Sequence, residues 1–501
     1  MKKLYTLLIV LVMCCTMLLA GCGFKPLDYP GTNEIVIGNG GTAVIKGNYL
    51  YYINGYMDAS TFTDYRTENV YGKEVRGAIY KTVLDANGQV QRSESGKLEE
   101  TEVVVPKVVG FNTGGFYIIG DYLYYVTPLM ENAYPDGNKK EPVLQKDRME
   151  ICRIKLDGTG NERLTVTETA ISDASTKFNW AVYTIEGKTQ VVYLDGTNLI
   201  SFNATDKTKV TMAEGVSNIA LLKQANYDHE NDALTGDEQF VYYTRSVGEN
   251  DTDKTVKNVF AKTKIGTSEE ILVASSTTET YAIKEVKNDR IYYTKSEVVG
   301  SQTLSAKLYV RTVGSTIETK LSDASYSYSY ILDSEFNGNG LSAVVIDSNN
   351  YIYRLTNGSD NARVLVNSAG TSITPLGLNG SYLYFVENSQ VYRIDCMTAG
   401  AEKEQLTSAS KTYFTTSSSL IDFDGRRIFV FAQYSGTPTT NEEGEEVENT
   451  NYYMNVIDLT NIEDTQFVGD FAEDECPEEP EECEHEDHLE EECPNDGPWI
   501  L

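Results

Sequence analysis

The sequence predicts an all-β protein, a β-propeller of about eight four-stranded blades with seven as the near alternative, on three observations. A short tyrosine-rich strand recurs along the chain, a more polar strand follows it, and with two degenerate units and a last one counted the centres of eight units lie roughly 40 to 73 residues apart. The tyrosine line reads Asn48-Tyr-Leu-Tyr-Tyr-Ile53, Asp121-Tyr-Leu-Tyr-Tyr-Val126 and Gln239-Phe-Val-Tyr-Tyr-Thr244. It returns as Arg290-Ile-Tyr-Tyr-Thr294, Asn350-Tyr-Ile-Tyr-Arg354 and Ser381-Tyr-Leu-Tyr-Phe-Val386.

The chain opens with an address. Lys2 and Lys3 precede an apolar run over 4–19, closed by Ala20, Gly21 and Cys22. The run is short for a membrane span and ends in small residues, so 1–21 reads as a secretory signal. Leu19-Ala20-Gly21-Cys22 resembles the lipobox of bacterial lipoproteins, in which the cysteine receives a diacylglyceryl group and becomes the mature N-terminus. Two acyl chains, palmitate among them, anchor a protein stably where one holds it marginally. Cys22 is therefore the expected lipidation site, and the mature chain is expected on the extracytoplasmic face of the cell membrane. Residues 22–33, with two prolines and two glycines, read as a stalk.

The propeller is expected over 34–470. Its polar partner strands are Ile79-Tyr-Lys-Thr-Val-Leu-Asp85, Ile151-Cys-Arg-Ile-Lys-Leu-Asp-Gly158 and Val259-Phe-Ala-Lys-Thr-Lys264. Leu308-Tyr-Val-Arg-Thr-Val313, Val391-Tyr-Arg-Ile-Asp395 and Tyr453-Met-Asn-Val-Ile-Asp458 continue the series. Apolar and polar residues alternate in them with the period of a strand. Asp157-Gly158, Asp195-Gly196 and Asn357-Gly358 signal the turns between strands. Two degenerate units fill the gaps: Ala181-Val-Tyr-Thr-Ile185 is expected to pair with Leu199-Ile-Ser-Phe202, and Leu341-Ser-Ala-Val-Val-Ile346 with Tyr351-Ile-Tyr353. Arg427-Ile-Phe-Val-Phe431 leads the last unit.

Successive side chains on a strand point to opposite faces, so an adjacent Tyr-Tyr pair puts one ring between its own sheet and each neighbour. Tyr51, Tyr52, Tyr124, Tyr125, Tyr242, Tyr243, Tyr292 and Tyr293 are therefore read as core rather than as a ligand-stacking surface. Polar insertions at 54–76, 127–148, 228–238 and 437–451 are expected as loops on one face or other of the disc, where a rigid scaffold carries function.

Formal net charge is −32, and 471–501 holds fourteen Asp or Glu and no Lys or Arg. With the two signal lysines set aside, 22–470 carries −20. An acidic body without a basic cluster excludes nucleic acid and direct adhesion to anionic lipid. The chain has eight cysteines, and Cys152 and Cys396 alone fall within the body, which is no disulfide framework.

Lipobox, x-Leu-Tyr-Tyr strands and Asp-Gly-Thr turns together resemble the surface lipoproteins of Gram-positive bacteria that carry a receptor-type or translocation-associated β-propeller. The YWTD tetrapeptide of receptor propellers is absent, Ile291-Tyr-Tyr-Thr294 being the nearest match, so their blade count does not carry over. The resemblance implies a binding or scaffolding role and no catalytic signature.

Three local constellations bear on chemistry. The 471–501 tail gathers Cys476, Cys483, His485, His488 and Cys493, ligand types that zinc takes, although no Cys-x-x-Cys pair is present. A solvated acidic tail is the competing reading, and Trp499, Ile500 and Leu501 end it with an apolar patch. Asp228-His-Glu-Asn-Asp232 and Asn250-Asp-Thr-Asp253 cluster hard oxygens but break the EF-hand order, so solvated loop acid is the better reading. Histidine-dependent catalysis is set aside, because the body holds His229 alone and no Gly-x-Ser-x-Gly or His-Glu-x-x-His motif.

The expectation is thus a lipid-anchored, non-catalytic binding or scaffolding module for a surface protein or peptide, without a resident cofactor. The alternatives are a surface glycan-processing enzyme with carboxylates at the propeller channel, and a metal-binding protein acting through the tail.

Overall fold

The computed structural model describes the chain between Leu27 and Gly469, with its longer interruptions at 56–76, 92–100, 110–114, 134–140, 170–177, 222–226, 249–256, 323–327, 334–340, 357–362, 415–426, 441–445 and 460–464. Among the described residues the elements are all strands, and no helix is long and apolar enough to cross a membrane. The strands form eight sheets of four or five strands and two small two-stranded ribbons. We number the eight in chain order: they run over 36–105, 117–166, 180–213, 216–276, 279–322, 328–367, 373–405 and 412–469. Each is built from consecutive strands, and each pairing is antiparallel.

The first strands crowd together at the axis. Tyr117–Ile119 of sheet 2 touches Trp180–Ile185 of sheet 3, and Val216–Ala220 of sheet 4 touches Glu279–Lys287 of sheet 5. That strand in turn meets Tyr328–Asp333, which meets Ile373–Asn379. Asparagine amides help to lock neighbours there. Asn39 accepts from Ile118 N at 2.6 Å and donates to Ile118 O at 3.0 Å, completing the edge of sheet 2 from sheet 1. Asn218 does half of the same for sheet 5, accepting from Ile283 N at 2.8 Å. Successive sheets that share an axis and pack face to face make the chain a β-propeller.

The tyrosine line forms the second strand of a four-stranded meander and the polar line the third, counting sheet 1 from Ala43–Lys46 past its extra edge strand Val36–Ile37. Sheet 6 is the exception, its tyrosine line lying in the third strand, Tyr351–Thr356. Tyr49–Ile53 pairs with Ile79–Val83, Phe240–Val247 with Lys257–Lys264, and Tyr382–Glu387 with Gln390–Asp395. The paired rings divide as alternation requires. Tyr124 packs in the cluster shared with sheet 3, while Tyr125 packs with sheet 1. Tyr242 faces sheet 5 and Tyr243 sheet 3; Tyr292 faces sheet 6 and Tyr293 sheet 4. Tyr384 and Phe385 of sheet 7 face sheets 8 and 6 in the same order. In each of these pairs the first ring packs toward the following sheet and its neighbour toward the preceding one. All eight tyrosines read as core are buried.

Sheet 3 departs from the expected pairing. Trp180–Ile185 does not meet the strand containing Leu199; Lys188–Asp195 lies between them and pairs with both. That strand carries one tyrosine, Tyr193, in a Val-Val-Tyr context, so it lacks the repeat's signature. Sheet 6 follows expectation, with Leu341–Asp347 on Tyr351–Thr356.

The ring closes through side chains. Phe429, Phe431, Met454 and Val456 of sheet 8 belong to one apolar cluster with Leu50, Leu84 and Val90 of sheet 1. Gln89 Nε2 donates to Asp458 Oδ2 at 2.6 Å across the same joint. No strand of sheet 1 pairs with one of sheet 8 among the described residues.

Candidate functional site: the connection face

A meander of four strands has two unlike ends. Turns between strands one and two, and between three and four, share one end, which we call the turn end. The link between strands two and three leaves from the other, the connection end. In sheets 3, 6 and 7 that link is tight, since Asp195 faces Asn198, Ile346 faces Ile352 and Glu387 faces Gln390. Sheets 1, 2, 4, 5 and 8 carry longer ones. Sheets 8, 1 and 2 are contiguous through the closure, so their insertions leave from neighbouring sheets at the same end.

Among the described residues the sheet 2 ladder extends furthest, as a ribbon. Its ladder passes a bulge at Pro128/Leu129 and continues to Ala133 opposite Glu141. The 127–148 insertion, expected as loop, is thus largely strand. Sheet 8 adds a small ribbon of Thr439–Thr440 on Glu446–Val447. The 228–238 insertion stands apart: it joins strands one and two of sheet 4, at the turn end, and includes the pairing of Tyr227–Asp228 with Ala233–Leu234.

The floor under the sheet 2 ribbon is an ion cluster. Glu150, 3% exposed, takes Lys107 Nζ at 2.6 Å on one oxygen and Arg163 Nε at 3.3 Å on the other. Lys107 lies on the link between sheets 1 and 2, so the cluster ties the two sheets at their connection end. Burial strips both charges of water, and the pair's attraction offsets that cost while fixing one geometry. Cys152 lies two residues along, and burial, with the Glu150 charge second, pushes its thiol up to about 12. Burial pushes Cys396 to about 12 as well. Both thiols are free and enclosed, and they pack as small apolar residues.

The remaining polar pattern is structural and was missed in the sequence. A cation on the third strand covers the aromatic ring that starts the second. Lys81 lies 4.5 Å from the Tyr49 ring, Arg153 4.5 Å from Tyr122, Lys262 4.4 Å from Phe240 and Arg393 5.1 Å from Tyr382. In five sheets the outermost strand begins with a glutamate that pairs with a cation: Glu102 with Lys81, Glu162 with Arg153, Glu270 with Arg245, Glu318 with Lys295 and Glu404 with Arg393. One signal was available, Lys or Arg recurring at one place in the polar strand; the glutamates stand at no fixed distance from their cations, and Arg245 and Lys295 lie on the tyrosine strand instead.

Cys22, Cys476, Cys483, His485, His488, Cys493 and His229 lie outside the described residues, as does 250–253. Among the described residues no group of three or more His, Cys, Asp or Glu is placed to hold a metal ion.

No protein-family model and no curated protein matches the chain. Among solved structures it is similar to an acylaminoacyl peptidase in complex with Z-Gly-Gly-Phe-chloromethyl ketone, at 11% identity and TM-score 0.37, over 67% of this chain and 49% of that one. The chain thus spans about half the length of that peptidase. It is similar to the β-propeller domain of the Trilobed protease from Pyrococcus furiosus at 11% identity and TM-score 0.38, over 70% and 95% of the two chains. Oligogalacturonate lyase from Vibrio parahaemolyticus gives 10% identity and TM-score 0.37, over 77% and 98%. The fold stands on the strand pairing above, and no activity passes from these proteins to this chain.

Proposed function

We propose that the chain is a lipid-anchored, extracytoplasmic propeller of eight blades, one per numbered sheet, acting as a non-catalytic binding or scaffolding module for a protein or peptide at the cell surface. The observation that carries the reading is the unequal distribution of connections. Sheets 3, 6 and 7 close with tight links, whereas sheets 8, 1 and 2 place consecutive insertions on one rim of the same face. A fold that needed only closure would use tight links throughout. Long connections on a rigid frame offer a large contact surface at little cost to stability, because loop entropy grows slowly with length.

The test shortens the connections by removing the projecting ribbons and leaving the four-stranded part of each sheet intact. Residues 130–144 are replaced by Asn-Gly, which leaves buried Leu129 opposite Gln145, and separately 436–449 by the same turn, which leaves Ser435 opposite Thr450. Cross-linking in cells is expected to recover one surface protein with the wild type and to lose it in at least one shortened form, with the thermal midpoint unchanged. Recovery undiminished in both forms would remove the connection face from the function.

A further inference from the structure

The chain enters the disc at the turn end. Leu27 N donates to the carbonyl of Asp157 at 2.9 Å, and Asp157 opens the turn between strands three and four of sheet 2. Pro30 lies on Gly47, in the turn between strands one and two of the Tyr49 hairpin of sheet 1, so closely that a Cβ there would come within 2.8 Å of the proline Cβ. Lys81 Nζ donates to the Asp28 carbonyl, and Leu27 packs against the apolar cluster of sheets 1 and 2. Residues 27–31 are therefore clasped to the disc rather than standing off from it.

We propose that the turn end is the surface facing the lipid bilayer, with the connection face directed away from it; this rests on reading Cys22 as the lipidated residue. Four residues separate Cys22 from Leu27, and the five steps between them span at most about 18 Å of extended chain. The second strand of sheet 3, Lys188–Asp195, turns tightly at both ends; its 8 residues rise about 26 Å from one end of the disc to the other. The tether is shorter than the disc is thick, so the acyl chains enter the bilayer beside the turns of sheets 1 and 2. The acidic body supplies no adhesion of its own to anionic headgroups, and the covalent tether together with its clasp sets the orientation. The insertions of sheets 8, 1 and 2 then point toward partners outside the cell.

Sheet 5 provides two positions at opposite ends, Thr316 lying further from the axis than Gln302. Thr316 lies in the turn between strands three and four, Gln302 at the connection end, and both are exposed. A donor dye is attached to Thr316→Cys or Gln302→Cys in the full lipidated chain, with Cys476, Cys483 and Cys493 changed to serine. The protein is reconstituted into phosphatidylcholine vesicles carrying an acceptor on the headgroup. Energy transfer is expected to be about threefold or more greater from Thr316, given the length of the strands between the two sites. Equal transfer means a disc standing on edge, and greater transfer from Gln302 an inverted one; either overturns the proposal. Mass spectrometry of the N-terminal peptide separates the two layers of argument. An unmodified Cys22 overturns the anchoring reading and the orientation with it, whereas a lipidated Cys22 with equal transfer overturns the orientation alone.

Discussion

Tyr243 illustrates how one residue serves both core and rim. Its ring fills the wedge toward sheet 3, and its hydroxyl reaches the edge of the sheet to donate to Glu270 Oε2 at 2.8 Å. Arg245 holds the same carboxylate through Nε at 2.8 Å and a terminal nitrogen at 2.9 Å. The Arg245 hydrogen bond, with the Tyr243 hydroxyl helping against partial burial, holds Glu270 below the usual carboxylate range. The Lys207 hydrogen bond does the same first for Glu162, followed by Arg153. A carboxyl whose folded value is depressed stabilises the native state above its unfolded value, and that contribution disappears as pH falls through the folded one. Thermal stability is therefore expected to hold above the ordinary glutamate value of 4.5 and to decline below it. Arg245→Ala is expected to cost about 1.5 kcal/mol near neutral pH and to flatten the acid limb. Thermal midpoints of both proteins across the acid range check this; parallel limbs would show that Glu270 does not contribute to it.

Between single residues and the ring stand the elements and the contacts that seat them. Gly115 leads into the first strand of sheet 2 with φ +97, and a Cβ there would run into the carbonyl oxygens of both Gly40 and Gly41. Gly40 N donates to Phe116 O at 2.8 Å and Phe116 N to Gly41 O at 3.0 Å, so the two backbones are already in contact. Gly115→Ala is expected to destabilise by about 3 kcal/mol or more, combining left-handed strain with displacement of a neighbouring strand. Gly187, with φ +72 in the hairpin of sheet 3 and nothing within 4 Å, meets the strain alone and should cost about 1 kcal/mol. Urea midpoints of the two alanine variants measure the difference, and equal losses would refute the close approach. The second and third strands were legible because buried aromatic pairs and alternating polar lines are written locally. Lys188–Asp195 escaped because one tyrosine does not make the repeat, and its role comes from its place between two partners. The insertions were legible as polar segments, but which end of a sheet each leaves depends on strand order. That is why 228–238 could not be told apart from 127–148 in the sequence.

At the scale of the whole molecule, the joint between sheets 8 and 1 differs from the others. Every other pair of neighbours is also joined by the chain itself, whereas this one is held by side chains among the described residues. Phe429 is buried in that seam, and Ile45, Leu50, Leu84, Val90 and Val456 line a shallow apolar hollow beside it. Phe385 is buried just as deeply in the cluster that sheet 7 shares with sheet 6, two sheets joined in sequence. Truncating either phenylalanine to alanine removes the same side chain from a packed wedge and should cost about 3–5 kcal/mol. The consequences for local opening should differ. Sheets 1 and 8 can part without stretching a linker, so a weakened seam opens as a sub-global unit. Phe429→Ala is therefore expected to raise amide exchange in both sheet 1 and sheet 8 while sheets 3 to 6 keep their protection. Phe385→Ala is expected to raise exchange more evenly, since sheets 6 and 7 are tethered to neighbours on both sides. Hydrogen exchange read by mass spectrometry resolves the two patterns. The same profile for both variants would mean that the seam is no weaker than a covalently linked joint, and that the ring opens nowhere in particular.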